Sequence, residues 1–500
     1  MDCNNDWRIS IMNNTNSTNN NTYRNTKNII LNVDAYKASH YLQYPPNTTQ
    51  VSSYIEARGG KFKQAVFFGL QMFIKDYLSQ PITNDDIDDA KIVIEANGLP
   101  FNEAGWRYIV EEYDGYLPIE IQAIPEGTVI PVQNAMVQVI NTDPQCAWLT
   151  SYVETALLRA VWYPTTVATV SWNGRQIIQR YLAETADNID GIDFKLHDFG
   201  ARGATSEEAA AIGGAAHLVN FMGTDTLSGI MATRRYYDAD MAGFSIPASE
   251  HSTMTSWGKD NEKAAYANML EQFSGEGKLV AVVSDSYDLW NAIDNIWGDE
   301  LKTKVQNTGG TLVIRPDSGD PVAVVTETID RLMNKFGYTV NTKGYKVLPD
   351  YVRVIQGDGV SLDSIEDILI AMKQRKQSAD NIAFGMGGEL LQKVNRDTMK
   401  FAMKASAAKV NGQWRDVFKD PITDQGKRSK KGRLAVIKDN SEDNRGSIRT
   451  IREEELGQQE NMLVPVFKDG WVLKTYDFDE VKARAKAGVP MIEEDTRACA

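Results

Sequence analysis

The sequence predicts an α/β fold built on a parallel sheet or barrel. Six short, β-rich apolar runs occupy the middle of the chain: KLHDFG (Lys195 to Gly200), FSIPASEHS (Phe244 to Ser252), KLVAVVSDS (Lys278 to Ser286), TLVIRPDSG (Thr311 to Gly319), YVRVIQGDG (Tyr351 to Gly359) and NIAFGMGG (Asn381 to Gly388). Each stops abruptly at a charged or glycine-rich turn, and most are separated by stretches with helical character, the pattern of strands alternating with crossover helices. In such a barrel the chemistry sits at the C-terminal strand ends. Those ends supply Asp198, Arg202, His251, Asp285, Arg315, Asp317, Asp358 and a Gly-rich loop. Acids, two arginines and a bendable glycine turn on one rim suit a metal-assisted site for a phosphorylated ligand.

The remaining elements follow in order. Residues 1–29 are Asn/Thr-rich, without apolar periodicity, and read as a disordered tail. Mixed helices and strands run from about Asn28 to about Pro164; within them IEIQAIPEGTVIPV (Ile119 to Val132) alternates and breaks at Pro and Gly, which predicts an antiparallel hairpin. Ser171 to Asp187 has helical spacing. Thr205-Ser206-Glu207-Glu208 carries the capping-box pattern ahead of a structural helix, in which His217 reads as a core or surface histidine. Beyond the barrel region, FAMKASAAKV (Phe401 to Val410), an Asn411-Gly412 turn and VPVFKDGWVLKTYDF (Val464 to Phe478) read as antiparallel strands with tight turns. The organisation expected is a barrel over 166–399 and a second, sequence-discontinuous α+β domain, rich in antiparallel strands, over 30–165 plus 400–500.

Composition narrows the class. The chain has 500 residues, 42% of them hydrophobic and 24% charged, as in a soluble globular protein. No uncharged apolar stretch reaches the ~18 residues that a membrane span needs. The N-terminus lacks a basic region followed by an apolar one, so no signal peptide is expected. Cys3, Cys146 and Cys499 are the only cysteines, which provides neither a disulfide framework nor a Cys-rich metal site and points to a reducing cytoplasm. The net charge of −14 disfavours nucleic acid as a partner.

The candidate residues each carry more than one reading. FGMGGEL places Gly385, Gly387 and Gly388 after a strand and before a helical stretch (Glu389 to Met399): a plain turn, or a place where backbone N–H groups approach a phosphate. QGDG (Gln356 to Gly359) sets Asp358 in a tight turn, where it serves the turn or takes ribose hydroxyls. In RPDSGDP, Arg315 and Asp317 point to the same side if the strand is extended; they form a surface ion pair, or Arg315 forks a phosphate and Asp317 holds ribose or Mg²⁺. Asp285 is a helix N-cap or a site acid. His251, in the polar turn Ser249 to Thr253, is a solvated loop histidine, or a nucleophile or proton carrier. The basic run Lys419 to Arg433 is a solvated face, a nucleic-acid patch or an electrostatic funnel for a polyphosphate.

Taken together and in order, DAYKASHYLQYPPNT, FNEAGWRYIVEEYDGYLPIEI, NTDPQCAWLT, KLHDFGARG, HLVNFMGTDT, PASEHSTMTSWGKD, VVSDSYD, IRPDSGDP, YVRVIQGDGV, NIAFGMGG and FKDP…KRSKKGR resemble the blocks of the nicotinamide phosphoribosyltransferase family, from about residue 30 to about 480. The resemblance implies a type II phosphoribosyltransferase barrel that joins nicotinamide to phosphoribosyl pyrophosphate with Mg²⁺, working as a homodimer with shared sites. By the same resemblance Phe199 and the partner subunit's Tyr36 sandwich the nicotinamide ring, Asp225 accepts a hydrogen bond from the carboxamide, and Arg202 neighbours the base. Asp285, Arg315, Asp317, Gly357 and Asp358 match ribose, metal and pyrophosphate positions, with Asp285 and Asp317 as metal ligands. Gly387, Gly388, Arg396 and Lys404 match the phosphate grip, and Arg58, Lys419 and Lys427 match basic residues around pyrophosphate or ATP. His251 matches a histidine transiently phosphorylated by ATP. The departures are Ala402 in place of a phosphate-binding Ser, Met386 in place of a small residue, and Ala201 in place of an aromatic. Nicotinate phosphoribosyltransferase, and a non-catalytic relative that kept the fold, are the alternatives.

Overall fold

The computed structural model describes residues 27–423, 428–439, 447–488 and 490. The strands that matter are, in chain order, β1 (Thr48–Ala57), β2 (Ile119–Ala123), β3 (Ala135–Asn141), β4 (Leu196–Asp198), β5 (Gly223–Thr224), β6 (Leu279–Val283), β7 (Thr311–Arg315), β8 (Val352–Gln356), β9 (Ile382–Met386), β10 (Phe401–Val410), β11 (Gln413–Asp416), β12 (Val464–Lys468) and β13 (Trp471–Val472). They form two main sheets. One is parallel throughout, in the order β5-β4-β9-β8-β7-β6. The other is antiparallel, β11-β10-β1-β3-β2-β12-β13, and takes strands from both ends of the sequence.

The run Phe244 to Ser252, expected as a ladder strand, is instead a strap between the two edges of the parallel sheet. Phe244 bridges Gly223 at one edge and Ala248 bridges Ala281 at the other. Pro247 lies in the strap; it has no N–H to give a ladder, yet its carbonyl accepts from Ala281 at 2.9 Å. The strap curls the sheet toward a barrel. Alternation along the strands does the rest. Val280, Leu312, Ile314, Val354 and Phe384 face the helices in the large core. Ala281, Val313 and Ile355 face the other way, in a separate cluster with Phe199, Ile246 and Ala383. Two residues further along each strand, the same inward side is occupied by Arg315, Gly357, Gly385 and Phe199 itself.

Two hairpins form as their turns predict. Asn411 and Gly412 (φ 51 and 77) join β10 to β11, and Asp469 with Gly470 (φ 47 and 89) joins β12 to β13. The hairpin expected over Ile119 to Val132 does not form. β2 pairs with β3 and β12, while Val129–Pro131 pairs with Gln64–Val66 in a small sheet of its own. A helix, α1 (Glu154–Thr185), runs across residue 165 despite Pro164. The helical stretch expected over Glu389 to Met399 shrinks to Gly388–Leu391 and a 3-10 turn, Arg396–Thr398. Among the described residues no helix is long and apolar enough to cross a membrane. The tail expected over 1–29 lies mostly outside the described residues; where they begin, Ile29 and Ile30 are already buried.

Candidate active site

The C-terminal rim of the parallel sheet gathers the strand-end residues. His251 opens a short helical turn (His251–Thr255) directly after the strap. Its Nε2 donates to Asp285 Oδ1 at 2.9 Å, and its Nδ1 lies 3.9 Å from Asp317 Oδ2. Asp285 is not an N-cap: the next helix begins at Leu289 and is capped by Asp288. Asp285 is therefore free to take His251 on one oxygen and the Asp317 N–H, at 3.2 Å, on the other. Its side chain is only 4% exposed, against 45% for His251. Arg315 donates to Asp317 Oδ2 at 3.1 Å, so the two do share a side as the sequence predicts.

Phe199 and the glycine turns line the adjacent wall. The Phe199 N–H donates to Met386 O at 3.0 Å, which seats its ring against β9. A Cβ added to Gly357 would sit 3.4 Å from Phe199 Cε2 and 3.5 Å from Asp317 Oδ1, so these three residues meet. Arg202 is exposed in the turn Ala201–Gly203, and Gly203 packs beside Gly388. Met386 is fully buried on the outward side of β9, away from this wall. Gly387 and Gly388 open the short helix after β9. Asp358 is exposed, and its carboxylate makes no hydrogen bond among the described residues.

Asp198 ties this wall to Asp225. The Gly200 N–H donates to Asp198 Oδ1 at 2.7 Å, and the Asp225 N–H donates to the Asp198 carbonyl at 3.0 Å. Asp198 Oδ2 is buried beside the Thr226 and Thr224 side chains, whose hydroxyls favour its charged form but do not offset burial. Burial pushes the Asp198 carboxyl up to about 6. Asp225 itself is exposed and accepts from the Ser245 hydroxyl. His217 lies beneath, fully buried between Ser171 and the Gly223 carbonyl, and burial holds its imidazole down at about 4. It is a core residue.

A second, cationic group lies on the antiparallel sheet. Arg58 directly follows β1 and its N–H donates to Met399 O at 3.1 Å, which sets it against the Arg396–Lys400 loop. Lys404, on β10, is pushed below the usual lysine value by burial and by Arg58, Lys37 and Arg396 nearby, with Glu154 opposing. Lys37 is itself buried and paired to Glu154 at 2.7 Å. Lys37 is a member of this cationic group that the sequence did not single out; its signal is its place next to Tyr36. Lys419 is exposed, its backbone tied to Ser429 at 2.8 and 3.0 Å. Lys427 lies outside the described residues. Tyr36 is 59% exposed, and its ring lies against His40 and Lys37.

The metal expectation can be tested on the donor set. Asp285 and Asp317 offer hard carboxylate oxygens on one rim, which suits Mg²⁺, an ion that commonly takes one or two carboxylates and completes its shell with phosphate oxygens and water. Among the described residues no cluster of three or more His, Cys, Asp or Glu could hold a metal unaided. The residues therefore fit an ion that arrives with a polyphosphate.

A barrel with acids, a histidine and glycine turns on its C-terminal rim, joined to a cation-bearing antiparallel domain, is the architecture of a phosphoribosyltransferase. Residues 194–463 match the family model described as the nicotinate phosphoribosyltransferase (NAPRTase) family, and residues 28–121 match the nicotinamide phosphoribosyltransferase N-terminal domain. A nicotinamide phosphoribosyltransferase of Xanthomonas campestris pv. campestris is 53% identical over 465 residues, covering 92% of this chain and 98% of that protein. One from Acinetobacter baylyi is 32% identical, covering 90% and 96%. The crystal structure of nicotinate-nucleotide pyrophosphorylase from Pyrococcus furiosus shares the fold at TM-score 0.60 and 14% identity, over 92% of this chain and 96% of that one. The chain belongs to the nicotinate phosphoribosyltransferase family, and it is a phosphoribosyltransferase of the type II fold.

Proposed function

We propose that the protein transfers the 5-phosphoribosyl group from phosphoribosyl pyrophosphate to nicotinamide, giving nicotinamide mononucleotide and pyrophosphate for NAD salvage. The observation that carries the choice of base is Asp225: an exposed carboxylate whose backbone is hydrogen-bonded to the residue before Phe199. There it accepts from a carboxamide N–H, whereas the carboxylate of nicotinate would meet a like charge. The resemblance of the sequence blocks supports this reading, as do the two relatives, both nicotinamide phosphoribosyltransferases.

In the reaction the pyridine nitrogen lone pair forms the bond to C1′ while the C1′–O bond to pyrophosphate breaks, the electron pair leaving with pyrophosphate. Asp317 and Asp358 orient the ribose. Arg315 and Lys419 meet the departing charge. Asp285 and Asp317 would hold Mg²⁺, which when bound neutralises pyrophosphate charge. Gly387, Gly388, Arg396 and Lys404 grip the 5-phosphate, and Arg58 serves the pyrophosphate or ATP, the role that the resemblance also gives to Lys427. The product ring is cationic, and aromatic faces favour a cation. Phe199 supplies one face and the partner subunit's Tyr36 the other, in a homodimer with shared sites. The exposure of the Tyr36 ring supports that assembly.

ATP hydrolysis is coupled through His251. With Nε2–H held by Asp285, the lone pair sits on Nδ1. Nδ1 attacks the γ-phosphorus, the N–P bond forms, the bond to the bridging oxygen breaks and ADP departs. The phosphohistidine is later hydrolysed by water. The compartment is the cytoplasm, with which the free, buried Cys146 accords.

The test is nicotinamide mononucleotide formation with Mg²⁺, with and without ATP, and with nicotinate in parallel. Product from nicotinamide alone, enhanced by ATP, is expected. Product from nicotinate instead would move the protein to the sister activity, and no product from either base would favour a binding role.

A further inference from the structure

Beside the cationic group the chain buries an acid. Glu56 lies on β1 with its side chain 3% exposed. Its Oε1 accepts from Arg58 Nε at 3.1 Å and from the Tyr54 hydroxyl at 3.5 Å, and its Oε2 accepts from Lys430 Nζ. The Tyr54 hydroxyl in turn accepts from the Lys430 backbone N–H at 2.8 Å, and Arg58 also donates to the Arg428 carbonyl at 3.3 Å. The sheet register sets this cluster next to the proposed phosphate grip. Glu56 is opposite Ala402 on β10, and Tyr54 is opposite Lys404.

A carboxylate next to an anion site weakens it unless cations outnumber it. Here two cations bind one acid, so the cluster keeps a net positive charge. Burying the acid unpaired would cost several kcal/mol, so Glu56 holds both partners firmly. Arg and Lys side chains each carry about 2 kcal/mol of rotamer entropy. Fixing them before an anion arrives removes that cost from binding.

We propose that Glu56 is a positioning residue that presents Arg58 and Lys430 to the pyrophosphate end of the substrate, and that Lys430 is a further anion-binding residue. The proposal rests on the phosphoribosyltransferase reading above. Lys404, pushed below its usual value first by burial and also by the cations Arg58, Lys37 and Arg396, stands in the same group of cations.

The experiment is calorimetric titration of inorganic pyrophosphate into the intact protein, for wild type, Glu56→Gln, Lys430→Met and the double variant, with KM measured for both substrates. Glu56→Gln keeps an acceptor for Arg58 but turns an amide toward Lys430. Each single variant should bind pyrophosphate about tenfold more weakly, the loss of one charge-assisted contact. The double variant should be no weaker than Lys430→Met, because Glu56 acts through Lys430. KM for phosphoribosyl pyrophosphate should rise, while that for nicotinamide stays within about twofold. Unchanged pyrophosphate affinity in either single variant, additive losses in the double variant, or equal rises in both KM values would overturn the proposal. If Glu56→Gln does not fold, Lys430→Met alone decides. A wild type that binds pyrophosphate but does not turn over nicotinamide would sink the functional reading and leave the role of Glu56 to the calorimetry.

Discussion

The Phe199 ring occupies the space in which a side chain on Gly385 would lie: a Cβ built there falls 1.9 Å from Phe199 Cε2 and 2.1 Å from Cδ2. Gly385 is glycine because of this approach. Its φ is not in the left-handed region, so the backbone does not require it. Gly385→Ala therefore displaces the ring and overpacks the wall, at a cost of about 1–3 kcal/mol in stability. KM for nicotinamide should rise about tenfold or more, with KM for phosphoribosyl pyrophosphate much less affected. Steady-state kinetics with each substrate varied in turn will check this; an unaltered KM for nicotinamide would mean that the ring is not part of the base site.

His251 and Asp285 make a different kind of prediction. Because His251 Nε2 is held at 2.9 Å by a nearly buried carboxylate, the ring is oriented for one task. His251→Ala should bring the ratio of rates with and without ATP to about one and abolish acid-labile phosphate on the protein. Radiolabelled ATP followed by acid treatment reads the second effect directly. Persistent labelling in the variant would assign the phosphate elsewhere.

Asp225→Asn tests base choice. A like-charge clash in a partly dry site costs several kcal/mol, enough for roughly 10²-fold discrimination or more. The nicotinamide-over-nicotinate ratio of kcat/KM should fall by about that factor in the variant. A ratio that does not move would remove Asp225 as the selector, whatever its hydrogen bond from Ser245.

Asp198 predicts a pH dependence whose sign follows from burial. Its folded value, about 6, lies above the ordinary 3.8. The fold therefore favours the protonated acid: the stabilisation is complete below the unfolded value and is lost as pH rises through about 6, by about 3 kcal/mol in all. Asn at this position stays neutral and keeps an acceptor for Gly200. The unfolding free energy of Asp198→Asn, relative to wild type, should climb by about that amount from about pH 4 to about pH 8 in urea titrations. His217, held down at about 4, works in the opposite direction, losing stability as pH falls from 6.5 through 4, and it cancels in the comparison of the two proteins. A pH-independent difference would show that Asp198 is already charged in the fold.

Much of this protein was determined by the sequence alone. Short β-rich runs ended at the turns that became the rim, because strand alternation and turn chemistry are local properties. The Asn411-Gly412 and Asp469-Gly470 turns made their hairpins for the same reason, since few other residues accept their left-handed backbone. The ordered blocks carried the family, and the strand-end candidates His251, Asp285, Arg315 and Asp317 lie together on one rim. Other features depended on tertiary structure. Phe244 to Ser249 became a strap rather than a strand because both sheet edges were available to it and Pro247 had no N–H to give. Val129–Pro131 found Gln64–Val66 instead of its near neighbour. Asp285 was released to His251 because Asp288 took the helix cap. Glu56 met Lys430 across 374 residues. Periodicity reports which face of a segment is buried; it does not report which distant segment covers that face, and the partner of a buried charge is settled only when the chain has closed around it.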